Sequence, residues 1–181
     1  MIKSARDIAV MGTMVAVMIA GQLVLGAIAG IEIITVLLAT YCFINGPIRG
    51  VIVATVFSLV RCLVFGFFPQ VIILYLVYYN LFALILGLLG KACKNKKTVI
   101  KILLVTVVSC VLTLCFTLLD NFLNIYVFKI FSSDRAIKIY LAKSMPVALT
   151  QVISNAVIIP LLFIPLVKVF ELTKTKREVK N

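Results

Sequence analysis

The stretch Val71 to Leu89, VIILYLVYYNLFALILGLL, runs nineteen residues without a charge. As a helix it rises about 28 Å, close to the roughly 30 Å of a bilayer's hydrocarbon core. The run is continuous, whereas a strand of a membrane barrel alternates apolar and polar residues over about ten positions. It therefore reads as a membrane-spanning helix. The rest of the chain repeats the pattern, with 64% hydrophobic residues, 13% charged residues and a mean hydropathy of +1.23. Such a composition lies far outside that of soluble domains.

Working outward from residues 71–89, apolar length and punctuation give six segments. They are Ile8 to Ala29, Ile33 to Ile44, Ile48 to Phe65, Val71 to Leu89, Val99 to Leu119 and Val147 to Val169. The fold class expected is an all-α polytopic bundle of six transmembrane helices, forming one integral membrane domain over residues 1–181. The second segment is short for a full crossing, which suits a tilted, merged or partly re-entrant helix. Asn45-Gly46-Pro47 and Gly66-Phe67-Phe68-Pro69 read as tight turns on either side of the third segment. The longest connection is Asn121 to Met145, in which IYVFKIF and AIKIYLAK form a short amphipathic helix or extend the fifth segment.

Charge sets the orientation. With the amino end inside, thirteen of the 18 basic residues face the cytoplasm: Lys3, Arg6, Arg49, Lys91, Lys94, Lys96, Lys97, Lys101, Lys168, Lys174, Lys176, Arg177 and Lys180. Lys129, Arg135, Lys138 and Lys143 fall outside, and Arg61 lies within a helix. The positive-inside rule then places both termini in the cytoplasm, in the cell membrane. The net charge of +12 is explained by these loops, so no nucleic-acid partner is expected; the partner implied by composition is the lipid bilayer. Cys42, Cys62, Cys93, Cys110 and Cys115 lack metal-ligand spacing, and there is no histidine, so no metal site or cofactor is expected. Ala27-Ile28-Ala29-Gly30 mimics a signal-peptidase site, but the run before it is long, and the first segment reads as a retained helix.

Polar groups inside a membrane are expensive and normally face the bundle interior or a cavity, so their depth is informative. Arg61 lies thirteen residues into the third segment, about 20 Å from its inner end. Asn80 is ten residues below the outer start of the fourth, and Gln151, Ser154 and Asn155 lie in the outer half of the sixth. Asp120 and Asn121 close the fifth, and Glu32 occupies the turn between the first two. Tyr78, with Tyr75 and Tyr79, adds polar-tipped rings at the same level, as an interfacial aromatic belt also would. Together these residues describe a polar pocket open to the outside and closed below. The candidate substrate-binding set is therefore Glu32, Arg61, Tyr78, Asn80, Asp120, Asn121, Gln151 and Asn155. Two readings of Arg61 stand. It snorkels to the outer headgroups, or it binds an acidic or carbonyl-rich solute, with Asp120 or Glu32 as counter-charge when the site is empty.

On the first segment, Gly12, Ala16 and Ala20 make one row of small residues, and Ala5 and Ala9 a partly overlapping one. Such a row lets another helix approach closely, inside the bundle or outside it.

A chain of about this length with six helices, both ends inside, an Ala-x-x-x-Ala pattern on the first helix and no ATPase motif resembles the S components of energy-coupling factor (ECF) transporters. The stretch IEIITVLLATYCFINGPIRGVIVATVFSLVRCLVFGFFPQVIILYLVYYNLFALILGLLGK, about a third of the chain, is similar to the second to fourth helices of that family. The resemblance implies a membrane subunit that captures a vitamin or related micronutrient outside. It would deliver that solute through a transmembrane T component driven by two cytoplasmic ATPases. It further implies that Ala5, Ala9, Gly12, Ala16 and Ala20 face the T component, and that Glu32, Asn80, Asp120, Gln151 and Asn155 correspond in position to substrate residues. The chain departs from members that stack their ligand on an indole, since it has no tryptophan. The alternative is a self-sufficient small secondary transporter or channel. An intramembrane enzyme is not expected, because histidine is absent and only six residues are acidic.

Overall fold

The computed structural model describes residues 5–26 and 33–178, with side chains described to residue 172. Six α-helices follow in order: α1 Ala5–Leu25, α2 Ile33–Asn45, α3 Pro47–Phe65, α4 Pro69–Ala92, α5 Thr98–Phe122 and α6 Asp134–Glu178. A single π turn, Leu123–Val127, continues α5. All of them except α2 are long and apolar enough to span a membrane, and the chain is an all-α polytopic membrane protein. No strand occurs among the described residues.

The second segment is a helix too short to cross, rising about 20 Å over its 13 residues. Residues 34–42 are buried without interruption, so α2 is enclosed on every side and has no lipid-facing stripe. It packs against α4 and α6, with α1 and α3 completing the enclosure. The remaining helices bury one face each and turn large apolar side chains outward, including Leu63, Leu81, Leu103, Leu118 and Leu161. In lipid that is the expected distribution, because tails solvate these side chains as well as a core does.

Sequence chemistry fixes the turn between α2 and α3. Gly46 adopts φ 85°, a left-handed conformation that costs little without a Cβ, and Pro47 opens α3. Gly87 and Gly90 of α4 then allow close approach to this turn. A Cβ at Gly87 would fall on the backbone of Pro47, and one at Gly90 on the carbonyl of Phe43.

The long connection expected over 121–145 is mostly helix. The π turn extends α5, and AIKIYLAK belongs to the first turns of α6 instead of forming a separate interfacial helix or extending the fifth segment. Helix α6 has 45 residues, about 68 Å, and contains Pro146, Pro160 and Pro165. It is longer than the hydrocarbon core of a bilayer is thick, and its prolines are of the kind that membrane helices accommodate through neighbouring helices. The amino end of α1 meets the start of α3 through Asp7 and Arg49, while Tyr41 near the end of α2 packs on Phe170 of α6. The start of α1 and the later part of α6 therefore share one end of the bundle, the end expected from the basic-residue asymmetry to face the cytoplasm.

Candidate outer binding site

At the opposite, outer end of α3, the Arg61 Cζ sits 4.0 Å from the centroid of the Tyr75 ring and 5.3 Å from that of Phe65. These are cation–π distances. Arg61 Nε is buried without a hydrogen-bond partner, and the guanidinium makes no ion pair among the described residues. Tyr75 continues into an aromatic cluster, because Phe116 of α5 packs edge-on at 5.9 Å from Tyr75 and 4.7 Å from Tyr78. Tyr78 is buried within this cluster.

Asn80 ties α3 to α4. The Thr55 hydroxyl donates to Asn80 Oδ1 at 2.9 Å, and Asn80 Nδ2 donates to the Leu76 carbonyl at 2.8 Å. Asn155 plays a similar part between α5 and α6, fully buried, with Nδ2 donating to Thr113 Oγ1 at 2.8 Å. The Thr113 hydroxyl in turn donates to the Ser109 carbonyl at 2.9 Å, while Asn155 Oδ1 and Ser109 Oγ stay without partners. Gln151 lies half-buried on α6 one turn above Asn155. Glu32 falls outside the described residues, as do residues 27–30.

The outer ends of α5 and α6 gather the densest polar constellation. Tyr140 donates its hydroxyl proton to Asp120 Oδ2 at 2.8 Å, and Asn124 Nδ2 donates to Asp120 Oδ1 at 3.0 Å and to the Tyr140 oxygen at 2.9 Å. Asp120 is thus held by two neutral partners; the expected counter-charge contact with Arg61 is not made. The physical reason is that each group has other partners: Arg61 stacks on Tyr75, and Asp120 accepts from Tyr140 and Asn124. Asn121 Nδ2 donates to Ser144 Oγ at 3.3 Å, and Ser144 donates to the Leu141 carbonyl at 3.0 Å. Beside this network opens a cavity of about 370 Å³, with Phe116 and Val147 as apolar wall, Asp120, Tyr140 and Ser144 as polar wall, and Lys143 at the rim. Its size falls in the range of small-molecule sites.

Sequence reasoning identified Asp120 and Asn121 but not Asn124, Tyr140, Lys143 or Ser144. They lie in what reads as a loop, where helical spacing has no meaning until the helix is known. The available signal was pairing at i and i+4, Asp120 with Asn124 and Tyr140 with Ser144. The π turn begins at Leu123, one residue before Asn124, and insertions of this kind occur frequently at functional sites.

On α1, Asp7, Met11, Met14, Val15, Met18 and Ile19 face the bundle. Ala5, Ala9, Gly12, Ala16 and Ala20 all face outward, and a Cβ on Gly12 would meet nothing within 4 Å. Both small-residue rows therefore form one exposed, flat strip and do not pack internally. No family model, curated protein or solved structure matches this chain.

Proposed function

We propose that this chain is the substrate-binding S component of an ECF-type importer in a prokaryotic plasma membrane. It captures a vitamin or related micronutrient from outside and delivers it through a T component driven by two ATPases. The observation that carries the reading is the asymmetry between the two ends: an open, mainly apolar cavity of about 370 Å³ outside, bordered by the Asp120, Tyr140 and Ser144 side chains, above a bundle whose centre is filled by the buried α2. A channel or a self-sufficient carrier needs polar groups along a path to the other side. Here the inner end is closed by Gly87 and Gly90 against the α2–α3 turn and by the Asp7–Arg49 pair. A binding subunit needs only the outer site and a face for its partner. The exposed small-residue strip of α1 suits close approach of a second membrane helix.

The chain's part in the mechanism is to hold a solute, with Asp120 and Asn121 at the α5–α6 cleft and Arg61 as a separate donor-only group. Release follows when the partner reorients the bundle. The test is to purify the chain from rich medium, identify the co-purifying molecule by mass spectrometry, and measure its uptake in liposomes with and without a T component and ATPases. ATP-driven uptake in the complete assembly, and none by the chain alone, is the expected result. Gradient-driven uptake by the chain alone would refute the proposal in favour of a secondary transporter.

A further inference from the structure

We infer that the cleft between the outer ends of α5 and α6 is a site for a small organic cation carrying N–H donors, such as an amine or amidine on a single ring. This deepens the proposed binding role by naming the ligand chemistry, and rests on that proposal only for the ligand's subsequent transport.

The argument is an inventory of protons. A hydroxyl has one hydrogen to give. That of Tyr140 goes to Asp120 Oδ2 at 2.8 Å and that of Ser144 to the Leu141 carbonyl at 3.0 Å; that of Thr117 points at the Thr113 carbonyl at 3.5 Å. The amides of Asn121 and Asn124 likewise donate into the wall, to Ser144 and to Asp120 and Tyr140. The hydroxyl donors of the helix wall are thus committed to the protein, and the acceptor that the largely apolar cavity still borders is the Asp120 carboxylate. Asp120 retains about two of the four acceptor sites of a carboxylate. Asn121 Oδ1, next to the same wall, is buried and has no partner.

Charge points the same way. Asp120 is the only carboxylate lining the cavity, and its partners are neutral, so its negative charge is uncompensated by any ion pair among the described residues. At the edge of a bilayer such a charge is costly, and a bound cation relieves it. Phe116 presents a ring in the same wall, a second attraction for a cation. An anion would find only Lys143, an exposed rim ammonium, and would have to approach Asp120.

The experiment titrates three ring compounds into the detergent-solubilised full chain by calorimetry: benzamidine, benzyltrimethylammonium and benzoate. Saturable benzamidine binding is expected, at least about tenfold tighter than benzyltrimethylammonium, which has the charge without N–H donors, with benzoate weakest. Asp120→Asn should weaken benzamidine by at least about tenfold. Lys143→Ala removes an exposed competing cation, and should leave benzamidine binding unchanged or up to about fivefold tighter. That variant and the probe series decide the matter even if Asp120→Asn does not fold. Benzoate binding as tightly as benzamidine, no saturable benzamidine binding, or its abolition by Lys143→Ala would each overturn the inference. A lipid headgroup amine shares this chemistry. Undiminished benzamidine binding in phosphatidylcholine nanodiscs, and equally in phosphatidylethanolamine nanodiscs, assigns the cleft to solutes, whereas competition by phosphatidylethanolamine assigns it to headgroups. Negative probe titrations alongside intact ATP-driven uptake through a T component would remove this inference and leave the proposed function standing.

Discussion

The two ends of the bundle each carry an arginine and an aspartate within or beside the membrane helices, and they use them in opposite ways. At the inner end Arg49 donates to Asp7 at 2.9 Å, and Asp7 is only 4% exposed. The pair joins α1 to α3, and glycines bring α4 down onto the adjoining turn. At the outer end Arg61 and Asp120 are kept apart, one stacked on Tyr75 and the other held by Tyr140 and Asn124. A charge pair that closes on itself stabilises one arrangement and has little left for a ligand. Charges held by aromatic rings and neutral donors keep their capacity to bind. The difference teaches that an ion count alone does not distinguish a structural end from a functional one; the partners do.

The largest effect should come from breaking the closed end. Arg49→Met removes the Arg49 cation from the buried Asp7 carboxylate and should destabilise the solubilised chain by about 3 kcal/mol, read from thermal unfolding. Adding Asp7→Leu should recover much of that loss, because the buried charge is gone. A double variant as unstable as the single one would show that the pair is not what holds α1 to α3. Next in size, Gly87→Val should cost about 2 kcal/mol, since the new side chain meets the backbone of Pro47. Unchanged stability would mean that α4 does not close on the α2–α3 turn.

At the open end, Arg61→Gln should leave thermal stability nearly unchanged while weakening the co-purified solute about tenfold, roughly 1.4 kcal/mol, through a carbonyl or carboxylate that the solute carries besides the cationic end held at Asp120. Arg61→Lys, which keeps the charge but loses the planar fork, should fall between the two. Equal binding by all three chains would reassign Arg61 to packing on Tyr75, and the comparison would then rest on Asp120 alone. The smallest effect on the isolated chain is expected for Ala16→Leu on the outward strip of α1, within about 0.5 kcal/mol of the parent and with unaltered ligand affinity. Its consequence should show only in assembly with a T component, measured by co-purification; loss of stability in the isolated chain would mean that the strip packs internally.

Much of the architecture was legible because lipid imposes a length and a composition on each crossing. The apolar runs located the helices, Gly46-Pro47 marked a turn, and the brevity of the second segment was visible in its residue count. The outer connection was read only in part: Ile125 to Val127 lengthen the fifth helix, as one alternative held, but an amphipathic pattern such as AIKIYLAK does not disclose whether it starts a new helix or lengthens a neighbouring one. Depth along a helix can be counted from sequence, and Arg61, Asp120 and Asn155 were placed by counting. Direction around the helix and the identity of the partner cannot, because both depend on how helices far apart in the chain are rotated against one another.

By itself, then, the sequence determined that this chain is a helical membrane protein, which residues are polar at which depth, and where small residues line α1. Only the tertiary structure decided that the small residues face outward, that α2 is wholly enclosed, and that Asn80 and Asn155 tie neighbouring helices together. It also decided that Asp120 meets Tyr140, twenty residues along the chain, and not Arg61. The physical reason is that burial in lipid is a property of each segment alone, whereas a hydrogen bond is a property of two groups whose separation only the packed bundle fixes.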